Sequence, residues 1–180
     1  MDKQHNTERL QPSLLDRLRD DEPKNKTESR DRGVLTDKKL RESVLRDIRW
    51  LLNSTCFETS EEELRNCPNV RTSSVNYGIR DFAGSTASIR NKTDLQVSIE
   101  EAIINFEPRI IPHTLKVNLL DKTEEAPVYE LNHYDEHRRP NIVVLKIEGD
   151  LWAQHIPERL YLKTVLDLEL GNIEIRTDGG

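Results

Sequence analysis

The chain has 180 residues, a length that suits one domain with polar ends better than two. Charged residues make up 33% of it and hydrophobic residues 34%, so part of the chain is expected to stay outside the core. A net charge of −6 argues against a general nucleic-acid or anionic-membrane binder, which needs a basic surface. No apolar run approaches bilayer length, and Met1-Asp2-Lys3-Gln4-His5 opens a charged stretch without the apolar core of an export signal. Neither membrane insertion nor secretion is therefore expected.

Residues 1–33 read as a polar arm. Within it, Ser13 can cap a short helix that places Leu14, Leu15 and Leu18 on one face. A helix of that length does not hold alone in water. It must dock on its own domain or on a partner, or stay unformed. Residues 34–180 are expected to form a single domain.

A helix is predicted from near Thr36, with Leu40, Val44, Ile48, Leu51 and Leu52 on one apolar stripe. Trp50 lies off the centre of that stripe, and Asn53-Ser54-Thr55 marks a stop. Glu61-Glu62-Glu63-Leu64 reads as a short helical turn. Around Gly78 a structured loop is expected to tuck Tyr77, Ile79 and Phe82 into the core, the glycine taking a backbone angle other residues avoid. A second helix is predicted to begin at Thr93, which has capping-box spacing to Gln96. Its stripe is Leu95, Ile99, Ala102, Ile103 and Phe106, and Pro108 ends it near Glu107.

From there the apolar period falls from about 3.6 to 2. Leu115, Val117 and Leu119 alternate with Lys116 and Asn118, and Val143, Leu145 and Ile147 alternate with Val144, Lys146 and Glu148. Leu162, Leu166, Leu168 and Leu170 share a face, and Ile173 and Ile175 follow a Gly171-Asn172 turn. Residues 121–140 read as a polar, exposed loop. The predicted fold class is α+β, with helices packed on one face of a small, mostly antiparallel sheet whose other face is wet.

Few residues point to chemistry. His133 and His137 are four apart and offer two corners of a metal site, but no third ligand is placed. Cys56 and Cys67 lack zinc-site spacing and read as reduced thiols. Glu107 with Glu100 or Asp81 can be imagined as a glycosidase-type pair, yet nothing fixes their geometry. No Gly-rich phosphate loop and no nucleophile beside a base is evident. The sharpest feature is Glu107-Pro108-Arg109, where helix hands over to sheet. Two readings are open. The charges pair locally and brace a helix stop, or Pro108 holds them as a rigid anchor for a partner's polar groups.

Glu107-Pro108-Arg109, preceded by Val75-Asn76-Tyr77-Gly78-Ile79-Arg80-Asp81, resembles the TssE family of type VI secretion baseplate proteins, which is related to a wedge protein of contractile phage baseplates. Pro12-Ser13-Leu14-Leu15-Asp16-Arg17-Leu18 is similar to the opening of these proteins. Ile147-Glu148-Gly149-Asp150-Leu151-Trp152 and the run from Leu162 to Gly171 are similar to their closing strands. The loop at 121–140 and Gln154-His155-Ile156 depart from the pattern.

The resemblance implies a non-enzymatic, cofactor-free structural role in the cytoplasm, on the inner side of the membrane. It implies wedge partners TssF, TssG and TssK and a link to the sheath proteins TssB and TssC. It carries attachment of the first sheath layer onto Glu107, Pro108 and Arg109 as protein-binding residues. A competing expectation follows from the family's frequent "lysozyme-like" label, namely peptidoglycan hydrolysis. A third is a scaffold or regulator outside any injection machine.

Overall fold

The computed structural model describes residues 13–18, 24, 36–57, 67–84, 89–120, 142–152 and 157–176. The Glu61–Leu64 turn, the loop at 121–140, His133, His137 and Gln154-His155-Ile156 lie outside the described residues.

Among the described residues three α-helices precede the sheet: α1 (Leu14–Leu18), α2 (Asp37–Leu52) and α3 (Ile89–Phe106). Thr36 starts α2 as its N-cap, its hydroxyl accepting from Lys39 N at 3.3 Å. The predicted stripe of α2 is buried, Leu40, Val44, Ile48, Leu51 and Leu52 all lying in the core, while Trp50 is half exposed. At the other end Asn53 caps the helix, with its backbone N–H donating to Arg49 O at 3.2 Å. Its side chain does more. Asn53 Nδ2 donates to Ile173 O, and Asn53 Oδ1 accepts from Ile173 N, both at 3.0 Å. The amide thus behaves as one residue of an extra strand against the last strand, and satisfies a stretch of sheet edge.

The second predicted helix starts earlier than expected. It runs from Ile89, so Thr93 is an interior residue and not its N-cap. The sequence around Thr93 has cap spacing, but four residues before it extend the same helical run. The stripe is as predicted, with Leu95, Ile99, Ala102 and Ile103 buried.

Four antiparallel strands follow in the spatial order β1-β2-β3-β4: β1 (Lys116–Leu120), β2 (Ile142–Leu151), β3 (Glu158–Asp167) and β4 (Asn172–Arg176). Each strand pairs with the next, a meander that needs only local connections. In β2 and β3 the core-facing residues alternate: Val143, Leu145 and Ile147 pair with Leu166, Thr164 and Leu162. The buried Thr164 satisfies its hydroxyl by donating to Leu145 O at 3.3 Å. Leu168 is buried, but β3 ends at Asp167, so Leu170 falls in the turn and is exposed. Asp167 Oδ1 accepts from the Glu169 and Leu170 backbone N–H groups, which closes that turn, and Gly171 takes a φ of +66°.

The outer face of the sheet is less wet than predicted. Ile142, Val144 and Val165 form a second buried cluster with Leu120 beside it. The main core joins α2, α3 and the inner sheet face, from Leu40 to Ile173.

The loop around Gly78 closes this core. Ile79 and Phe82 are buried, and Tyr77 packs edge-on against Phe106 with ring centres 5.4 Å apart. Gly78 has a φ of +133°, and a Cβ there would stand 2.3 Å from Ser54 O. The close approach comes from pairing of the 54–56 backbone with Ile79 on both sides: Ile79 N donates to Ser54 O, and Cys56 N to Ile79 O. Only glycine fits that crossing.

Candidate functional site

The site grows from the end of α3. Glu107 N donates to Ile103 O at 2.8 Å as the last helical bond, and Ile110 N then donates to Glu107 O at 3.2 Å. Residues 107–110 therefore make a tight turn, with Pro108 at the position whose φ proline presets. Past the turn, the chain is stitched to the end of β2. Ile111 N donates to Asp150 O at 2.9 Å, and Trp152 N to Arg109 O at 2.8 Å. The backbone on both sides of Pro108 is thus fixed by partners.

The side chains of the motif turn toward each other. Glu107 is only 3% exposed. Arg109 donates to Glu107 Oε1 from Nε at 2.6 Å and from its backbone N–H at 3.2 Å, and its NH2 also reaches Glu107 Oε2. The fork continues to α2: Arg109 NH2 donates to Asp47 Oδ2 at 2.6 Å, and NH1 to Ser43 Oγ at 3.2 Å. Burial alone would make this guanidinium easier to deprotonate, but the hydrogen bonds and charge of Glu107, then of Asp47, outweigh it and push Arg109 above its ordinary value. Pro108 stays exposed.

Asp47 is shared. Its other oxygen, Oδ1, accepts from Arg46 Nε at 2.9 Å, and Arg46 in turn donates to Asp16 Oδ1 on α1. The result is a ladder of alternating charge, Asp16, Arg46, Asp47, Arg109, Glu107, running from α1 across α2 to the motif. The hydrogen bond from Arg46 leads the effects on Asp16 and, despite the burial that opposes it, holds its carboxyl below the usual carboxylate value. Tyr77 also joins, its hydroxyl donating to Asp47 O at 3.3 Å. Burial, then the nearby Asp47 and Glu107 charges, push the Tyr77 phenol up.

Beside the motif lies an open groove of about 390 Å³. Leu51, Tyr77, Phe106 and Pro108 give it apolar walls, and Ser13, Asp47, Glu107 and Arg109 give it polar ones. Both Glu107 oxygens accept from Arg109 at the edge of this groove. The imagined partner Asp81 is exposed and spends Oδ1 on the Ala83 backbone N–H at 2.8 Å. Glu100 is half-buried on α3 and is no part of the groove lining. Among the described residues no cluster of three or more His, Cys, Asp or Glu is grouped to hold a metal ion, and no helix is long and apolar enough to cross a membrane. Cys56 and Cys67 are not bridged.

The sequence singled out Glu107, Pro108 and Arg109, and the structure brings them together in one turn. Sequence reasoning missed Asp16, Ser43, Arg46 and Asp47. Ser43 and Asp47 flank the α2 stripe one turn apart, a hint of a polar edge near the core, but a partner 62 residues away leaves no local signal.

Comparison with curated proteins and with solved structures returns no match. Comparison with family models returns one, described as baseplate wedge protein gp25, over residues 38–155. That span covers more than half of the chain and contains the whole motif together with its α2 partners. The chain belongs to the baseplate wedge protein gp25 family, a family of structural baseplate components that includes TssE.

Proposed function

We propose that this chain is the TssE-type wedge subunit of a type VI secretion system, that it links wedge subunits to the contractile sheath, and that it supports the start of sheath assembly without catalysing a reaction. The observation that carries the reading is the family match across residues 38–155, within which Glu107-Pro108-Arg109 forms a braced turn at the rim of a groove. Its partners on this reading are TssF, TssG and TssK in the wedge and TssB and TssC in the sheath, and it works in the cytoplasm.

Glu107, Pro108 and Arg109 serve this role as a preset shape. A turn fixed by its own ion pair and by backbone bonds to β2 loses little conformational freedom when a partner docks. Pro108 and the open side of Arg109 are what the turn offers outward, and Glu107 acts from behind by holding Arg109 in place.

Deleting the chain in its native host tests the reading. Labelled sheath subunits should then fail to form extended sheaths, and reintroducing the intact chain should restore them. Sheaths of normal number and length in the deletion strain would reject it.

A further inference from the structure

Helix α1 meets the body through its polar side. Ser13 stands among the residues that line the groove, donates to Asp16 Oδ2 at 2.6 Å and accepts from Asp16 N at 3.3 Å. Asp16 Oδ1 accepts from Arg46 on α2. No residue of α1 is buried, so apolar packing does not hold this helix. The Asp16–Arg46 pair ties it to α2, and a partly screened pair is weak enough to open without unfolding the chain.

Breaking that pair does not end at α1. Arg46 Nε and Nη2 both lie on Asp47 Oδ1, at 2.9 and 2.8 Å, while Arg109 Nη2 holds the other oxygen, Oδ2, at 2.6 Å. One carboxylate thus serves two guanidinium groups. Like charges gathered on it repel, and Asp16 offsets the repulsion. The hydrogen bond from Arg46 leads the effects that hold the Asp16 carboxyl below its ordinary value, and the charge of Arg109 adds to it. These side chains are withdrawn enough from water for the coupling to survive screening, with Asp16, Asp47, Arg46 and Arg109 18%, 22%, 24% and 26% exposed.

The two arginines are unequally placed once Asp16 leaves. Arg109 keeps Glu107, whose Oε1 accepts from its Nε at 2.6 Å. Arg46 keeps Asp47 alone of its two described carboxylate partners. Competition for Asp47 therefore resolves toward Arg46, and Arg109 falls back on Glu107.

We infer that α1 is a latch on the motif: docked, it lends Ser13 to the groove wall and keeps Arg109 Nη2 on Asp47; undocked, it removes that wall and sets Nη2 free. Asp16 is the catch, Arg46 and Asp47 transmit its state, and Arg109 reports it. The latch stands on these contacts, and only the use of the freed donor in assembly rests on the baseplate reading.

Nuclear magnetic resonance of the full chain tests the latch without any partner. The Arg17 amide donates to Ser13 O, so its protection reports whether α1 is formed, and a helix this short forms only when docked. Solvent exchange of the Arg109 side-chain hydrogens reports the motif. Asp16→Asn should lower Arg17 protection and quicken exchange at Arg109 Nη by about threefold, the scale of one partly screened ion pair. Exchange at Arg109 Nε, which Glu107 retains, should stay nearly unchanged. Asp16→Glu should restore the behaviour of the intact chain. Loss of Arg17 protection with unchanged exchange at Arg109 overturns the inference, since arm and motif then act independently. Unchanged Arg17 protection overturns it too, because another contact then holds α1. Equal quickening at Nε and Nη also overturns it, since the whole turn then loosens and Asp47 transmits nothing.

Discussion

Arg109 folds back over Pro108 to donate to Glu107 Oε1 at 2.6 Å, and the carboxylate it meets is 3% exposed. A charge this deep depends on its partner. The motif is therefore a structural brace, and its outward surface is held in shape by an inward ion pair. Removing Arg109 leaves Glu107 buried and uncompensated, so Arg109→Ala should cost about 3 kcal/mol of stability. Glu107→Ala should cost about 2 kcal/mol, since Arg109 keeps Asp47 and some access to water. Urea unfolding of the purified variants measures both, and near-zero values would mean that the pair is not formed in solution.

Asp16 adds a pH dependence to the arm helix. Its folded value lies below the ordinary 3.8 because Arg46 donates to it. A carboxylate lowered in the fold contributes stability above its unfolded value and loses it as pH falls through the folded one. Docking of α1 should thus be complete at neutral pH and weaken below about pH 4. Protection of the Arg17 amide, which donates to Ser13 O at 3.0 Å, is the readout. Equal protection at neutral pH and at about pH 3 would show that another contact holds α1.

Asn53 ties α2 to β4 through two bonds to the Ile173 backbone. Asn53→Ala leaves that N–H and C=O without their partner and should destabilise the chain by about 2 kcal/mol. Faster amide exchange at Ile173, exceeding the change at Val165 in the neighbouring strand, would locate the effect at the sheet edge.

Gly78→Ala should be among the most damaging single substitutions, about 3 kcal/mol or more, because the new Cβ meets the Ser54 carbonyl in a backbone region that favours glycine. Gly84→Ala is the control. Gly84 also has positive φ, at +74°, but its Cβ would meet nothing within 4 Å, so its cost should be about 1 kcal/mol. Thermal melts of the two variants separate the clash from the angle.

Periodicity carried most of the fold. The stripes on α2 and α3 and the alternation in β2 and β3 are side-chain patterns that a core must impose, and they are readable without any partner. The start of α3 was misread because Thr93 and Gln96 satisfy a cap pattern locally, while Ile89 to Lys92 simply continue the helix. The second cluster at Ile142, Val144 and Val165 escaped because a strand with apolar residues on both faces reads as plain alternation when Lys146 and Glu148 are weighed with it. The motif itself was legible, since a proline between opposite charges at a helix end is a local feature. Its connection to Asp47, Ser43 and α1 was not, because those contacts span 62, 66 and, through Arg46, 30 residues.

The most direct test of the account images labelled sheath in cells whose only copy of this chain carries Arg109→Lys. Lysine keeps the charge that Glu107 and Asp47 require but loses the planar fork that reaches Glu107, Asp47 and Ser43 together, so the melting temperature should fall less than with Arg109→Ala while the surface beside Pro108 changes. The account predicts protein that still folds and accumulates, unlike a chain lacking the charge at 109, with few or no extended sheaths. Sheaths of normal number and length with this variant would contradict it and leave Glu107-Pro108-Arg109 as a structural turn alone.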